Sequence, residues 1–125
     1  MICARGKGEQ TMNTDTSILL SIKKLLGIPQ EQTNFDVDII IHINTIIANL
    51  AQMGIGPSDG YSLTGEDETW EDYIGDNKLI SQIRTYIYIK VRLVFDPPTN
   101  TALTQSFNEQ AKELEVRMYT QQGGF

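Results

Sequence analysis

Apolar residues recur at helical spacing along most of the chain between Ile18 and Met118. Ile18, Ile22 and Leu25 predict a first helix over about Ile18–Leu26, and Asp15, Thr16 and Ser17 offer oxygens for its N-cap. Gly27 suits the left-handed position after the last turn, Ile28 can fold back on that turn, and Pro29 bars continuation. A second helix is expected from about Asp36 to Met53. Ile39, Ile43, Ile46, Leu50 and Met53 follow one stripe, while Asp38, His42, Thr45, Asn49 and Gln52 follow another. That predicts one buried and one wet face. Thr33, Asn34 or Asp36 can cap this helix, and Phe35 can act as a hydrophobic staple. Its many isoleucines lower intrinsic helix propensity, so packing must hold it.

Gly54 to Asp76 reads as a long connection with turn signals at Gly56-Pro57, Asp59-Gly60 and Gly65. Tyr61–Thr64 suits a short extended piece. Thr69 with Asp72 resembles a capping box for a single helical turn carrying Trp70 and Tyr73. The stretch Leu79–Phe95 fits two periods. As a strand, it places Ile83, Thr85, Ile87, Ile89, Val91, Leu93 and Phe95 on one face; as a helix, it makes a stripe of Leu79/Ile80, Ile83, Ile87, Val91 and Val94. Its length and freedom from Gly and Pro favour a helix capped by Asp76 and stopped by Asp96-Pro97-Pro98. A last helix is expected over Thr101–Tyr119, capped near Thr99 or Asn100. Its narrow stripe is Leu103, Phe107, Ala111, Leu114 and Met118, with Glu113 and Arg117 paired on the wet side. The expected fold is mainly α: a small four-helix bundle with a long acidic loop between the second and third long helices.

Composition sharpens this outline. Hydrophobic residues make up 40% of 125 residues, enough for one modest core. The richest apolar run, Ile39 to Leu50, is broken by His42, Asn44, Thr45 and Asn49 and falls short of a membrane span. The formal net charge of −6 argues against a duplex-binding face. Residues 1–12 lack periodicity and an apolar signal core, so the domain is placed at residues 13–122, with 123–125 as a flexible tail. Two readings fit the start of the chain. One is a translated leader, since Lys7-Gly8-Glu9 can be encoded as a ribosome-binding site shortly before Met12; the other is a cloning scar or flexible tail.

No catalytic, cofactor or metal constellation stands out. His42 is the single histidine, without a nucleophile motif, and Cys3 is the single cysteine. Gly54–Gly60 follows a helix instead of a strand, and Pro57 removes a donor, so it reads as a turn and not a phosphate loop. In Asp59–Glu71, Tyr61 and Leu63 stand where a calcium loop needs oxygen ligands. A helix–turn–helix reader is excluded by the long Gly27–Asn34 connection and by a second helix without Arg or Lys. What remains is aromatic material in excess of a small core: Trp70, Tyr86, Tyr88, Phe95 and Tyr119. Such residues are enriched at protein contacts, although packing at a bundle edge accounts for them equally well.

In order, the chain carries Ile18-Leu-Leu-Ser-Ile-Lys-Lys-Leu-Leu-Gly27-Ile, Phe35-Asp-Val-Asp-Ile-Ile-Ile-His-Ile-Asn44 and Met53-Gly-Ile-Gly-Pro57. After a tryptophan-bearing acidic loop come Tyr86-Ile-Tyr-Ile-Lys-Val-Arg-Leu-Val-Phe-Asp-Pro-Pro98 and Glu113-Leu-Glu-Val-Arg117. This series resembles the head–tail connector family of long-tailed bacteriophages and prophages, over roughly Ser17 to Tyr119. The resemblance implies a structural subunit of the virion neck, assembled in the bacterial host cytoplasm. Its implied partners are itself, in a dodecamer-like ring on the portal, the portal protein, and the next neck, stopper or tail protein. It implies help with head completion and DNA retention, and no enzyme activity, cofactor, membrane or sequence-specific nucleic acid. Another helical phage structural or packaging-associated protein is the alternative.

Seven carboxylates (Asp59, Glu66, Asp67, Glu68, Glu71, Asp72 and Asp76) lie between Gly56 and Lys78 with no Lys or Arg among them. The loop is expected either to line a channel that DNA passes or to hook a basic patch on a neck partner, with Trp70 as apolar anchor. The anchor favours the hook. The interface residues expected on this basis are Trp70, Tyr73, Glu66, Asp67, Glu68, Tyr86, Tyr88 and Tyr119. Deleting residues 1–11 is expected to leave the melting temperature unchanged, because nothing there can bury useful apolar area; a large fall in a thermal melt would make the segment part of the fold.

Overall fold

The computed structural model describes residues 15–75 and 78–121. Among them lie α1 (Ile18–Leu26), α2 (Asp36–Gln52), the short α3 (Trp70–Ile74), α4 (Ile80–Phe95) and α5 (Thr101–Gln121). The β pairing among these residues is one isolated antiparallel bridge between Ser17 and Thr69. The ambiguous segment is therefore a helix. Tyr61–Thr64 joins no ladder; the backbone N–H and C=O of Leu63 pair with the Asn44 side chain instead. The leader, the tail from residue 123 and the Asp76 cap lie outside the described residues.

Local chemistry sets the helix ends. Ser17 Oγ accepts from the Leu20 amide at 3.3 Å and caps α1. Gly27 ends it at φ 82°, a conformation that side chains disfavour, and Ile28 N–H reaches back to the Lys23 carbonyl. Thr69 Oγ1 accepts from Asp72 N–H to start α3, and Asn100 Oδ1 accepts from Ala102 and Leu103 to start α5. By contrast α2 has no side-chain cap. Asp36 serves a buried lysine instead, and Phe35 lays its ring edge-on against Phe95, 5.4 Å away.

α4 is the central element: it packs against α1, α2 and α5, whereas α2 and α5 scarcely meet. Accordingly Ile83, Tyr86, Ile87, Ile89 and Val91 are buried around much of its circumference. They meet a core that includes Ile39, Ile43, Ile47 and Leu50 of α2, each burial of this kind being worth about 1.5–3 kcal/mol. Leu25, Val94 and Leu103 were expected inside, but they stand 40–60% exposed. Each sits in a terminal turn, beyond the reach of neighbouring helices.

The Phe35–Phe95 contact sets the start of α2 beside the end of α4. Contacts of Tyr86 with Glu115 and of Tyr88 with Phe107 make α4 and α5 antiparallel. One end of the bundle thus carries the 27–35 loop and the 96–100 turn. The other carries the long acidic connection, α3 and the C-terminal turns of α5.

Lys23 is only 1% exposed, and its ammonium lies 2.9 Å from Asp36 Oδ1. It also donates to the carbonyls of Gln30 at 3.1 Å and Gln32 at 2.7 Å. The two carbonyls accept hydrogen bonds from the ammonium, and Asp36 balances its charge. Lys23→Ala would strand a carboxylate and two carbonyls, so urea denaturation should show a loss of about 3 kcal/mol. Lys24→Ala, whose 3.7 Å pair with Asp15 is exposed on both sides, should change stability little.

Candidate docking surface at the acidic end

The acidic connection is fastened at four places, all by residues whose chemistry faces inward. Ile18 N–H donates to the Glu68 carbonyl and Trp70 N–H to the Thr16 carbonyl, which ties the loop beside the start of α1. Ser17 Oγ donates to the Glu66 carbonyl at 2.7 Å. Asn44 of α2 holds Leu63 from both its N–H and C=O. Trp70 Nε1 donates to Ser21 Oγ at 2.9 Å inside the core.

Glu68 staples the loop to itself. Its carboxylate accepts from Thr64 N–H, Thr64 Oγ1 and Gly65 N–H. Burial, the largest single influence, pushes its pKa up, but these hydrogen bonds together outweigh it and hold the carboxyl below its ordinary value. The staple is therefore present above the ordinary carboxylate range and is lost as pH falls through the lowered pKa.

Tyr73 is buried, stacked on Tyr61 with ring centroids 5.1 Å apart. Gly56, at φ 94°, lies against this ring so closely that an added Cβ would sit 3.0 Å from Tyr73 Cε1. Burial pushes the Tyr73 hydroxyl up to about 12, and that hydroxyl has no hydrogen-bond partner among the described residues. Tyr61 is also raised, first by burial and then by the charges of Asp72 and Glu68. Beside α3 a half-open groove of about 570 Å³ is lined by Thr16, Thr69, Trp70, Glu71, Ile80 and Arg84, among others, with the Arg84 guanidinium 5.5 Å from the Trp70 ring centre.

The expected interface residues therefore divide. Trp70, Tyr73 and Tyr86 lie in the core of their own chain and are not free anchors, a correction to the hook as first drawn. Their polar tips explain the outcome. Trp70 finds Ser21, and Tyr86 donates to Glu115 at 2.6 Å, so the rings can enter the core at little polar cost. Burial, then the Glu115 hydrogen bond and charge, push the Tyr86 pKa up. Tyr88 is half-buried between Phe107 and Arg92. Glu66, Asp67 and Tyr119 remain exposed, and Glu68 is half-buried. Sequence reasoning missed Ser21, Asn44 and Arg84, which position the loop or cover its tryptophan. His42 is half-buried on α2.

What this arrangement offers is a fixed backbone that presents carboxylates outward: Glu66, Asp67, Glu71 and Asp72 are all exposed. Among the described residues no three His, Cys, Asp or Glu side chains converge as a metal site. No described helix is long and apolar enough to cross a membrane. The model of one protein family, phage connector protein, matches residues 18–124, a span that takes in all five helices. No curated protein and no solved structure matches the chain.

The buried rings make opposite forecasts for two substitutions. Trp70→Ala should cost about 3–5 kcal/mol in a denaturation experiment, since it opens a cavity and frees Ser21. Tyr73→Phe should be neutral or stabilise by up to about 1 kcal/mol, since the lost hydroxyl is unpartnered. A raised tyrosine pKa contributes stability that is present below the ordinary value of 10.0 and is lost as pH rises towards about 12. Stability of the parent should fall across that window more steeply than that of Tyr73→Phe.

Proposed function

The chain belongs to the phage connector protein family, and from that premise we propose that it is a ring-forming adaptor subunit of the virion neck, placed between the portal and the next neck or tail protein. The family is one of phage structural connectors, with a general role at the head–tail junction. The observation that carries the reading is the extent of the match: it spans the whole bundle, so the entire fold is the connecting element. In this reading the subunit acts by geometry, helps head completion and retains packaged DNA. It assembles in the host cytoplasm, stays monomeric or loosely associated in dilute solution, and forms its ring on the portal.

The acidic end is the docking surface for the next neck protein. Fastening to α1 and α2 supports this role, because a pre-ordered loop loses little entropy on binding. Exposed Glu66 and Asp67 engage a basic patch on the partner, and Trp70 contributes from beneath by fixing the backbone that carries them. Charge attraction of this kind sets approach and register more than raw affinity, and salt weakens it.

The test changes Glu66 and Asp67 to Gln together and leaves the Glu68 staple intact. The variant should melt like the parent yet join heads to tails about tenfold less efficiently, with a flatter salt dependence. Joining at the parental rate and with parental salt sensitivity would remove the loop from the docking surface.

A further inference from the structure

A second groove, of about 360 Å³, opens where α2 ends beside the last turns of α5. Met53, the cap of α2, forms one wall; Glu115, Val116, Tyr119 and Thr120 form the other. Helical spacing explains the set. Glu115 with Tyr119, and Val116 with Thr120, stand one turn apart, so the four share one side of α5. The walls are largely apolar, with Val116 64% and Tyr119 39% exposed, and Glu115 is the one charged group in the lining.

Glu115 is positioned but not neutralised. Tyr86 donates to its Oε2 at 2.6 Å, which holds the carboxylate in place and leaves the other oxygen without a hydrogen bond among the described residues. A hydroxyl supplies no counter-charge. Lys90 keeps its ammonium 6.0 Å from the centre of the Tyr86 ring, and Lys112 is exposed one turn back along α5. Among the described residues neither forms an ion pair with Glu115. The carboxylate is half-buried, so water screens it less than it screens the exposed Glu66 and Asp67.

We infer that this groove receives an arginine side chain from the protein that docks on the acidic end, a site that rests on the docking reading above. Charge complementarity selects the occupant. An apolar side chain would cover the carboxylate and leave it without a counter-charge, and an acidic one would be repelled. A cation on an aliphatic stem satisfies both parts of the groove: the stem lies on Met53 and Val116, and the head meets the free oxygen of Glu115. Tyr119 turns the choice from lysine to arginine, because a planar, weakly hydrated guanidinium stacks on an aromatic ring while it bonds a carboxylate. Continuity points to the same partner. Met53 leads directly into Gly54, where the acidic connection begins, so the groove and the loop open at one end of the bundle. A basic patch that approaches Glu66 and Asp67 brings its cations towards Glu115 as well.

The test uses the full chain, assembled on heads and then joined to tails. Glu115→Gln removes the charge and keeps an oxygen for the Tyr86 hydroxyl. Val116→Lys, at an exposed position, sets a cation of the chain's own beside Glu115 and fills the groove. Both should melt like the parent and join heads to tails about tenfold less efficiently, with a flatter salt dependence for Glu115→Gln. Glu113→Gln, which removes an exposed acid paired with Arg117 outside the groove, should join as the parent does. Parental joining by both groove variants, while the Glu66 and Asp67 double change still impairs joining, would overturn the arginine site and leave the docking reading intact. Parental joining by all of them would remove both. Loss of joining with Val116→Lys but not with Glu115→Gln would make the occupant apolar and overturn the proposal. Weaker self-association of either variant in sedimentation, with joining unchanged, would assign the groove to a second copy and overturn it too.

Discussion

Every residue from Ser17 to Lys23 is buried, and three of the seven are polar. That constraint organises both long loops. A buried hydroxyl or ammonium without a partner costs about 1–3 kcal/mol or more, so Ser17, Ser21 and Lys23 must each find one. Ser17 and Ser21 each keep one partner within α1, the Leu20 amide and the Ile18 carbonyl, and their other partners lie outside it, as do those of Lys23. Ser17 takes the Glu66 carbonyl, Ser21 takes the Trp70 indole, and Lys23 takes Asp36 with the carbonyls of Gln30 and Gln32. A helix of nine residues therefore pins the acidic connection at one end of the bundle and the 27–35 loop at the other.

This pinning explains how a run of like charges can have a fixed conformation. Repulsion among Glu66, Asp67, Glu71 and Asp72 favours spreading, not order. Order comes from beneath, from Trp70, Tyr73 and Leu63 in the core and from Asn44 and Ser17 on the backbone. Gly56 is the residue on which this depends most locally, since the Tyr73 ring occupies the space a side chain would need. The carboxylates are then free to serve recognition, because the fold does not need them as partners, Glu68 excepted.

Helix ends were legible in the sequence where one residue type has one physical use. Gly27 with Pro29, Thr69 with Asp72 and Asn100 are all found in the roles their chemistry suggests. Positions whose outcome depends on tertiary partners were not legible. Asp36 looked like a cap and is a counter-ion; Trp70 looked surplus and is core. One signal was available and went unused. Ile18, Leu19, Leu20 and Ile22 spread over more than half of the circumference of α1, wider than a single apolar stripe, and so wide an arc marks a helix buried on most of its surface. That arc takes in Lys23, and it predicts that polar groups elsewhere must come to meet its ammonium. The aromatic excess misled for a related reason: Trp70 and Tyr86 enter the core because Ser21 and Glu115 receive their polar tips, and neither pairing follows from local spacing.

A loop fastened in advance suits the docking role proposed above. A subunit whose docking loop ordered only on contact would lose part of its binding free energy to that ordering, about 1–2 kcal/mol for each backbone residue fixed. The present fold meets that cost in advance: the nine residues of α1 bear the loops, and the central α4 bears α2 and α5. On the proposed reading, stiffness is concentrated where a partner would be recognised.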